Sequence, residues 1–166
     1  MNTSPEKYIE RLNELLLKKK ALFSEILELT NAQTGVITED GLDSLNELIN
    51  KKQQKIDNID KLNEEFEIYY SRFKAVLGIS NLEQLDTAGL GEAALTGAKR
   101  LKALTAEITD VITQISEIEK VNSKKSNDLR EQLGKEIKRI NQGKKVNNAY
   151  NPEPFNTPSY FLDKKK

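Results

Sequence analysis

The chain has no cysteine, no histidine and no tryptophan among its 166 residues. Without cysteine there is no disulfide framework, no thiolate nucleophile and no thiolate metal site. Without histidine the commonest general base and transition-metal ligand is missing. The two absences together remove the Ser-His-Asp and Cys-His triads, the usual zinc sites and the Glu-x-x-His di-iron bundle. Only carboxylate or lysine chemistry is left to an enzyme, and the sequence reads as a binding protein with neither catalytic activity nor cofactor. Net charge is lacking too, because 26 basic residues face 26 acidic ones. A nucleic-acid binder would show a basic surplus or stripe. The short run Lys18-Lys19-Lys20 is followed by Glu25 and Glu28 and reads as a solvated face. No stretch approaches the roughly 18 apolar residues that a membrane span needs. Residues 1–11 are polar and carry no signal-peptide core, so the expected location is the cytoplasm.

What is present points to helices. Hydrophobic residues make up 37% and charged residues 31%, a balance that suits long helices with a narrow buried stripe and a wide solvated face. The length suggests one domain with a modest core. Ser4 is a good N-cap and Pro5 suits the first helical position. Apolar residues then recur at Tyr8, Leu12, Leu15, Leu22, Ile26 and Leu29, with Lys19 filling one step and Ile9, Leu16 and Phe23 widening the stripe. The spacing predicts a helix that ends near Thr34, where Gly35 supplies a stop. A second helix is expected from Thr38, its cap, with Glu39 and Asp40 on the positive end of the helix dipole and Gly41 an early weak point. Its stripe is Leu42, Leu45, Ile49, Lys52, Ile56, Ile59, Asn63, Phe66, Tyr70, Phe73 and Leu77, in alternating steps of three and four. Gly78 ends it.

Residues 78–91 break the pattern. Ser80 could cap a short turn there, and Gly89 and Gly91 mark a connection. Gly97 interrupts the next stretch as well, so periodicity predicts the third helix only from about Lys99. Its stripe is Leu101, Leu104, Ile108, Val111, Ile115, Ile118, Asn122, Lys125 and Leu129, then Leu133, Ile137 and Ile140 after a one-residue shift in register. Gly143 is the expected end, which makes a rod of roughly 65–75 Å. The segment 144–166 holds Pro152, Pro154 and Pro158 together with Tyr150, Phe155, Tyr160 and Phe161. Proline at this density prevents a helix, so a disordered tail with short aromatic motifs is expected. The predicted fold is all-α: an antiparallel three-helix coiled-coil bundle over 1–143 with a long C-terminal helix, then a flexible Pro/Asn-rich tail over 144–166.

Two features leave alternatives open. Phe66, Tyr69, Tyr70 and Phe73 cluster where the second helix outruns the first, so they either line an open groove for a partner helix or fill the core under the 78–91 connection. Asn63, Asn122 and Lys125 interrupt hydrophobic stripes, so they either fix the register of the bundle or mark a face left for another chain.

Three stretches carry a resemblance. One is the opening Tyr8-Ile9-Glu10-Arg11-Leu12-Asn13-Glu14-Leu15-Leu16, followed by a second helix of the form Leu-x-x-Leu-x-x-Leu-Ile-x-x-Lys-x-x-x-Ile. Another is the region of Asn122 with Leu129 and Ile137 after it. The last is the tail, where Tyr150 precedes a proline-rich stretch and the ending Ser159-Tyr160-Phe161-Leu162-Asp163-Lys164-Lys165. Together they resemble the FlgN family of flagellar export chaperones. The resemblance implies binding to the C-terminal helical region of the hook–filament junction proteins FlgK and FlgL, and delivery to the export gate protein FlhA. Client contact is then expected along the last helix, at Leu101, Leu104, Ile108, Ile115, Ile118, Asn122, Leu129, Leu133 and Ile137. In the family a tyrosine just after the last helix contributes to gate docking, and Tyr150 is the match. Tyr160 and Phe161 lie in an ending that shorter members lack, and they compete for that role. The alternatives are a self-assembling coiled-coil or adaptor protein and a chaperone of another secreted filament subunit. Long heptad stripes also allow a homodimer.

Overall fold

The computed structural model describes residues 4–81, 83, 84 and 90–147, and within them the chain is all-helical as expected. Helix α1 spans Pro5–Val36, α2 spans Leu42–Leu77 and α3 spans Glu92–Asn147. Ser4 stands at the N-cap of α1 and Pro5 in its first turn, although the Ser4 hydroxyl makes no capping bond. Gly78 ends α2 in the left-handed conformation, φ 66°, with its N–H directed at the Ala75 and Lys74 carbonyls. That is the backbone geometry for which glycine carries no steric penalty.

Two starts differ from expectation, and glycine explains both. Helix α2 begins at Leu42, not at Thr38, because residues 38–41 form a tight turn in which the Gly41 N–H donates to the Thr38 carbonyl at 3.2 Å. A Cβ on Gly41 would overlap the Val36 carbonyl oxygen, so the turn admits only glycine. Helix α3 begins at Glu92 and passes straight through Gly97. A Cβ at Gly97 would collide with Ile9 Cγ2. Gly97 therefore lets α1 and α3 approach closely, with Ala94 and Ala98 buried beside it. At the far end α3 continues through Gly143 to Asn147. In the connection, the Asn81 Oδ1 accepts the Glu83 N–H at 2.9 Å, and the Ser80 N–H donates to the Gln84 Oε1 at 2.7 Å.

Partner positions reveal the topology. Side chains linking α1 to α3 join residues 84 to 92 positions apart, from Asn13 with Gly97 to Thr30 with Asn122. A near-constant offset of this kind means parallel helices in register. Links between α1 and α2 run the other way: Arg11 meets Glu65, Glu25 meets Lys55, and Gln33 meets Lys52. The bundle is thus up, down, up. Helix α1 packs along both of its neighbours, whereas α2 and α3 scarcely approach one another.

The apolar core gathers at one end. Tyr8, Ile9, Leu12 and Leu16 of α1 meet Phe73 of α2 and Ala94, Ala98, Leu101, Leu104 and Ile108 of α3. Arg11 closes this end by bonding Glu65 across the interface and Glu14 on its own helix, and these bonds hold its pKa above the ordinary value. Lys19, the charged step in the α1 stripe, lies beside the Phe23 ring, and burial lowers its pKa.

Candidate functional site

The stripe on α3 divides into three zones along one helix. The first is proximal. Leu101, Leu104 and Ile108 are 1%, 6% and 5% exposed and sit in the shared core against α1. A second chain could reach them only if α1 left.

The middle zone is polar where a coiled coil would be apolar. Asn122 is buried, and its Nδ2 donates to the Thr30 carbonyl at 3.0 Å. Its Oδ1 accepts from the Thr34 hydroxyl at 2.5 Å. Lys125 donates to the Thr34 carbonyl at 2.7 Å, which satisfies one of the carbonyls that a helix end leaves open. Of the two readings of Asn122 and Lys125, the structure supports register, because the polar groups of both are engaged by α1. Their effect is to hold the last turns of α1 against α3, which lets α1 run through Gly35 to Val36. Nearby, Lys52 of α2 bonds both Gln33 of α1 and Glu119 of α3, so one ammonium ties all three helices together. The sequence showed Lys52 only as a filled step in a stripe. Its role depends on Gln33 and Glu119, which stand on two other helices and share no local pattern with it. Ile115 and Ile118 are half-buried at the edge of this zone.

The polar layer is itself testable. Replacing Asn122 with alanine leaves the Thr34 hydroxyl and the Thr30 carbonyl to find other partners. It is expected to lower stability by about 1–3 kcal/mol in a urea titration. An unchanged midpoint would show that the α1–α3 register is held elsewhere.

The distal zone has no α1 beside it. An offset of about 90 carries Val36, the last residue of α1, to about residue 126 of α3. The 22 residues Ser126–Asn147 therefore continue for roughly 33 Å beyond the end of α1 at about 1.5 Å per residue. Leu129, Leu133 and Ile137 lie along this stretch half-buried, and Ile140 is 49% exposed. Such apolar side chains have no described tertiary core to enter, and a row of them at helical spacing is a face suited to another helix.

The aromatic cluster on α2 is not an open groove. Phe73 is fully buried, and Phe66, Tyr69 and Tyr70 pack against the core together with Leu77, Ile79 and Leu90. Tyr69 meets Tyr8 edge-on at 6.3 Å, and Phe66 stacks on Tyr70 at 5.7 Å. Ile79 and Leu90 belong to the two ends of the connection and pack against the same core. Tyr150, Tyr160 and Phe161 lie outside the described residues. Among the described residues no group of three or more acidic, cysteine or histidine side chains could hold a metal, and no helix is long and apolar enough to cross a membrane.

The family model described as FlgN protein matches residues 1–154. No curated protein and no solved structure matches the chain.

Proposed function

The chain belongs to the FlgN family of flagellar export chaperones, and on that footing we propose that it holds the C-terminal helical region of the hook–filament junction proteins FlgK and FlgL in the cytoplasm and delivers them to the export gate protein FlhA. The observation that carries this reading is the distal stretch of α3, which presents Leu129, Leu133 and Ile137 beyond the end of α1. A client's amphipathic helix laid there would bury its own apolar stripe and be kept from self-association. Ile115 and Ile118 extend the contact toward the bundle. Leu101, Leu104, Ile108 and Asn122 serve it indirectly, by holding the rod against α1. No step requires bond chemistry, in keeping with a chain that has no histidine or cysteine.

Gate docking is assigned to the tail, with Tyr150 the first choice and Tyr160 and Phe161 its competitors. Client and gate then use separate stretches of one chain, so both partners can be held at once. The affinity for the client need only be moderate, since the client is released for export.

The test is calorimetry of the full chain against a peptide spanning the C-terminal helical region of FlgK, and the equivalent from FlgL. Saturable one-to-one binding that survives removal of residues 144–166 is the expected result. Failure of both peptides to bind would overturn the client assignment. A stable self-associated rod in the same preparation would favour the structural coiled-coil reading instead.

A further inference from the structure

Helices α2 and α3 both pack on α1 and scarcely approach each other, which leaves a seam between them with α1 as its floor. The core at Phe73 and Leu101 closes one end of the seam, and the bond from Lys52 to Glu119 closes the other. Links on the outer sides fix what lies between. Lys20 bonds Glu107 on the far side of α3, and Lys55 bonds Glu25 on the far side of α2. At helical spacing these links place Lys19 and Phe23 on the floor, Ile56 and Asn63 on the α2 wall, and Thr105 and Ile112 on the α3 wall.

The walls are uncharged and open to solvent. Ile56 is 38% exposed and Ile112 is 42% exposed. Thr105 and Thr109 return their hydroxyls to their own helix, donating to the Leu101 and Thr105 carbonyls at 2.9 Å each, so they bring little polarity to the seam. Between Lys102 and Glu119 the charged residues of α3 are Glu107, Asp110 and Glu117, and helical spacing turns all three away from α2. Charged residues make up 31% of the chain. An exposed helix side without any over about three turns has the composition of a contact surface.

The floor holds the one charge. Lys19 is half-buried, with its ammonium 6.0 Å from the centre of the Phe23 ring. Among the described residues no carboxylate pairs with it, while the adjacent Lys20 has Glu107. Asp60 is exposed and stands further round α2. Burial without a counter-charge lowers the Lys19 pKa, and such a cation is costly to hold until an anion reaches it. We propose that the seam takes an amphipathic helix whose apolar stripe is interrupted by one aspartate or glutamate, which pairs with Lys19. A helix suits the site because it satisfies its own backbone, and the uncharged walls offer few groups to do so. A second copy joined seam to seam would set Lys19 against Lys19, an unfavourable meeting of like charges. This surface is separate from the client face, which lies on α3 beyond the end of α1.

The experiment titrates the full chain with pairs of synthetic helical peptides about 14 residues long, a little longer than the seam. Members of a pair differ at one stripe position, glutamate in one and glutamine in the other, and that position is stepped along the stripe from pair to pair. In the best pair the glutamate peptide is expected to bind about tenfold more tightly. Lys19→Met should erase that preference without lowering Tm, since it removes an unpaired half-buried charge; a structural role for Lys19 would lower Tm instead. Ile112→Asp should abolish binding of both peptides, and the pair L133D/I137D should leave it unchanged. No binding by any pair, equal affinity within every pair, or a preference that survives in Lys19→Met overturns the proposal. So does binding lost in L133D/I137D but kept in Ile112→Asp, which would move the site to the client face. A dimer of the free chain that Ile112→Asp dissolves would name a second copy as the occupant. Binding that appears only after residues 148–166 are removed would name the chain's own C-terminal segment, and either result also overturns it. Failure of the FlgK and FlgL peptides to bind, by contrast, overturns only the client assignment.

Discussion

Placing aspartate at both Leu133 and Ile137 should abolish client binding while leaving the bundle's melting almost unchanged. Both residues lie past the point where α1 ends, on a single helix with no α1 beside it. A substitution at such a position acts on stability mainly through helix propensity, typically within about 0.5 kcal/mol. Binding responds differently. Seating a client helix would place each carboxylate against apolar side chains, and an unpaired buried charge is strongly disfavoured. A loss of at least about 100-fold is expected, equivalent to about 2.7 kcal/mol. Calorimetry with the FlgK peptide measures the first quantity and thermal denaturation the second. Unaltered affinity would move the client site elsewhere on the molecule. A large fall in Tm would show that the distal stretch belongs to the cooperative fold.

Phe73→Ala should do the opposite. Phe73 is the largest of the fully buried side chains and the residue through which α2 enters the core shared with Leu12 of α1 and Leu101 of α3. Removing a buried phenyl ring loses its transfer free energy and leaves a cavity that the helices fill only in part. The expected cost is about 3–5 kcal/mol, a large share of the 5–15 kcal/mol by which domains are typically stable. At about 2–4 °C per kcal/mol for a chain of this size, Tm should fall by roughly 10 °C. Below that lowered midpoint, client affinity should be near that of the parent, because the ring lies at the end of the bundle remote from Leu133. A shift under about 1 kcal/mol would mean that α2 is held mainly by its polar links, such as Arg11–Glu65 and Lys52–Gln33. The pair of predictions separates the two ends of the molecule. On the proposed reading, the proximal core carries stability and the distal rod carries recognition.

Much of this could be read from the sequence. The number and type of helices followed from stripes of three- and four-residue steps, since that spacing puts apolar side chains on one side of a helix whatever surrounds it. The end at Gly78 followed for a similar reason, because the left-handed cap is a local backbone demand. The missing cysteine and histidine bounded the chemistry by themselves. The stripe residues Leu129, Leu133 and Ile137 were visible as a periodic face.

Tertiary structure decided which stretches of stripe α1 covers and which it does not. Along α3 the sequence pattern at Leu101 and Ile108 looks like the pattern at Leu129 and Ile137, yet the first pair is buried and the second has no α1 to cover it. The difference comes from the length and register of α1, which ends opposite about residue 126. Gly97 and Gly41 obeyed the same logic. Local propensity treats a glycine as a break, whereas here one lets two helices touch and the other makes a turn, because of what stands at Ile9 and Val36. Asn122, Thr30 and Lys52 became a register layer only once three helices had brought their side chains together. Periodicity depends on the chain near a residue. Coverage depends on the distant segments packed against it, and no local pattern encodes that.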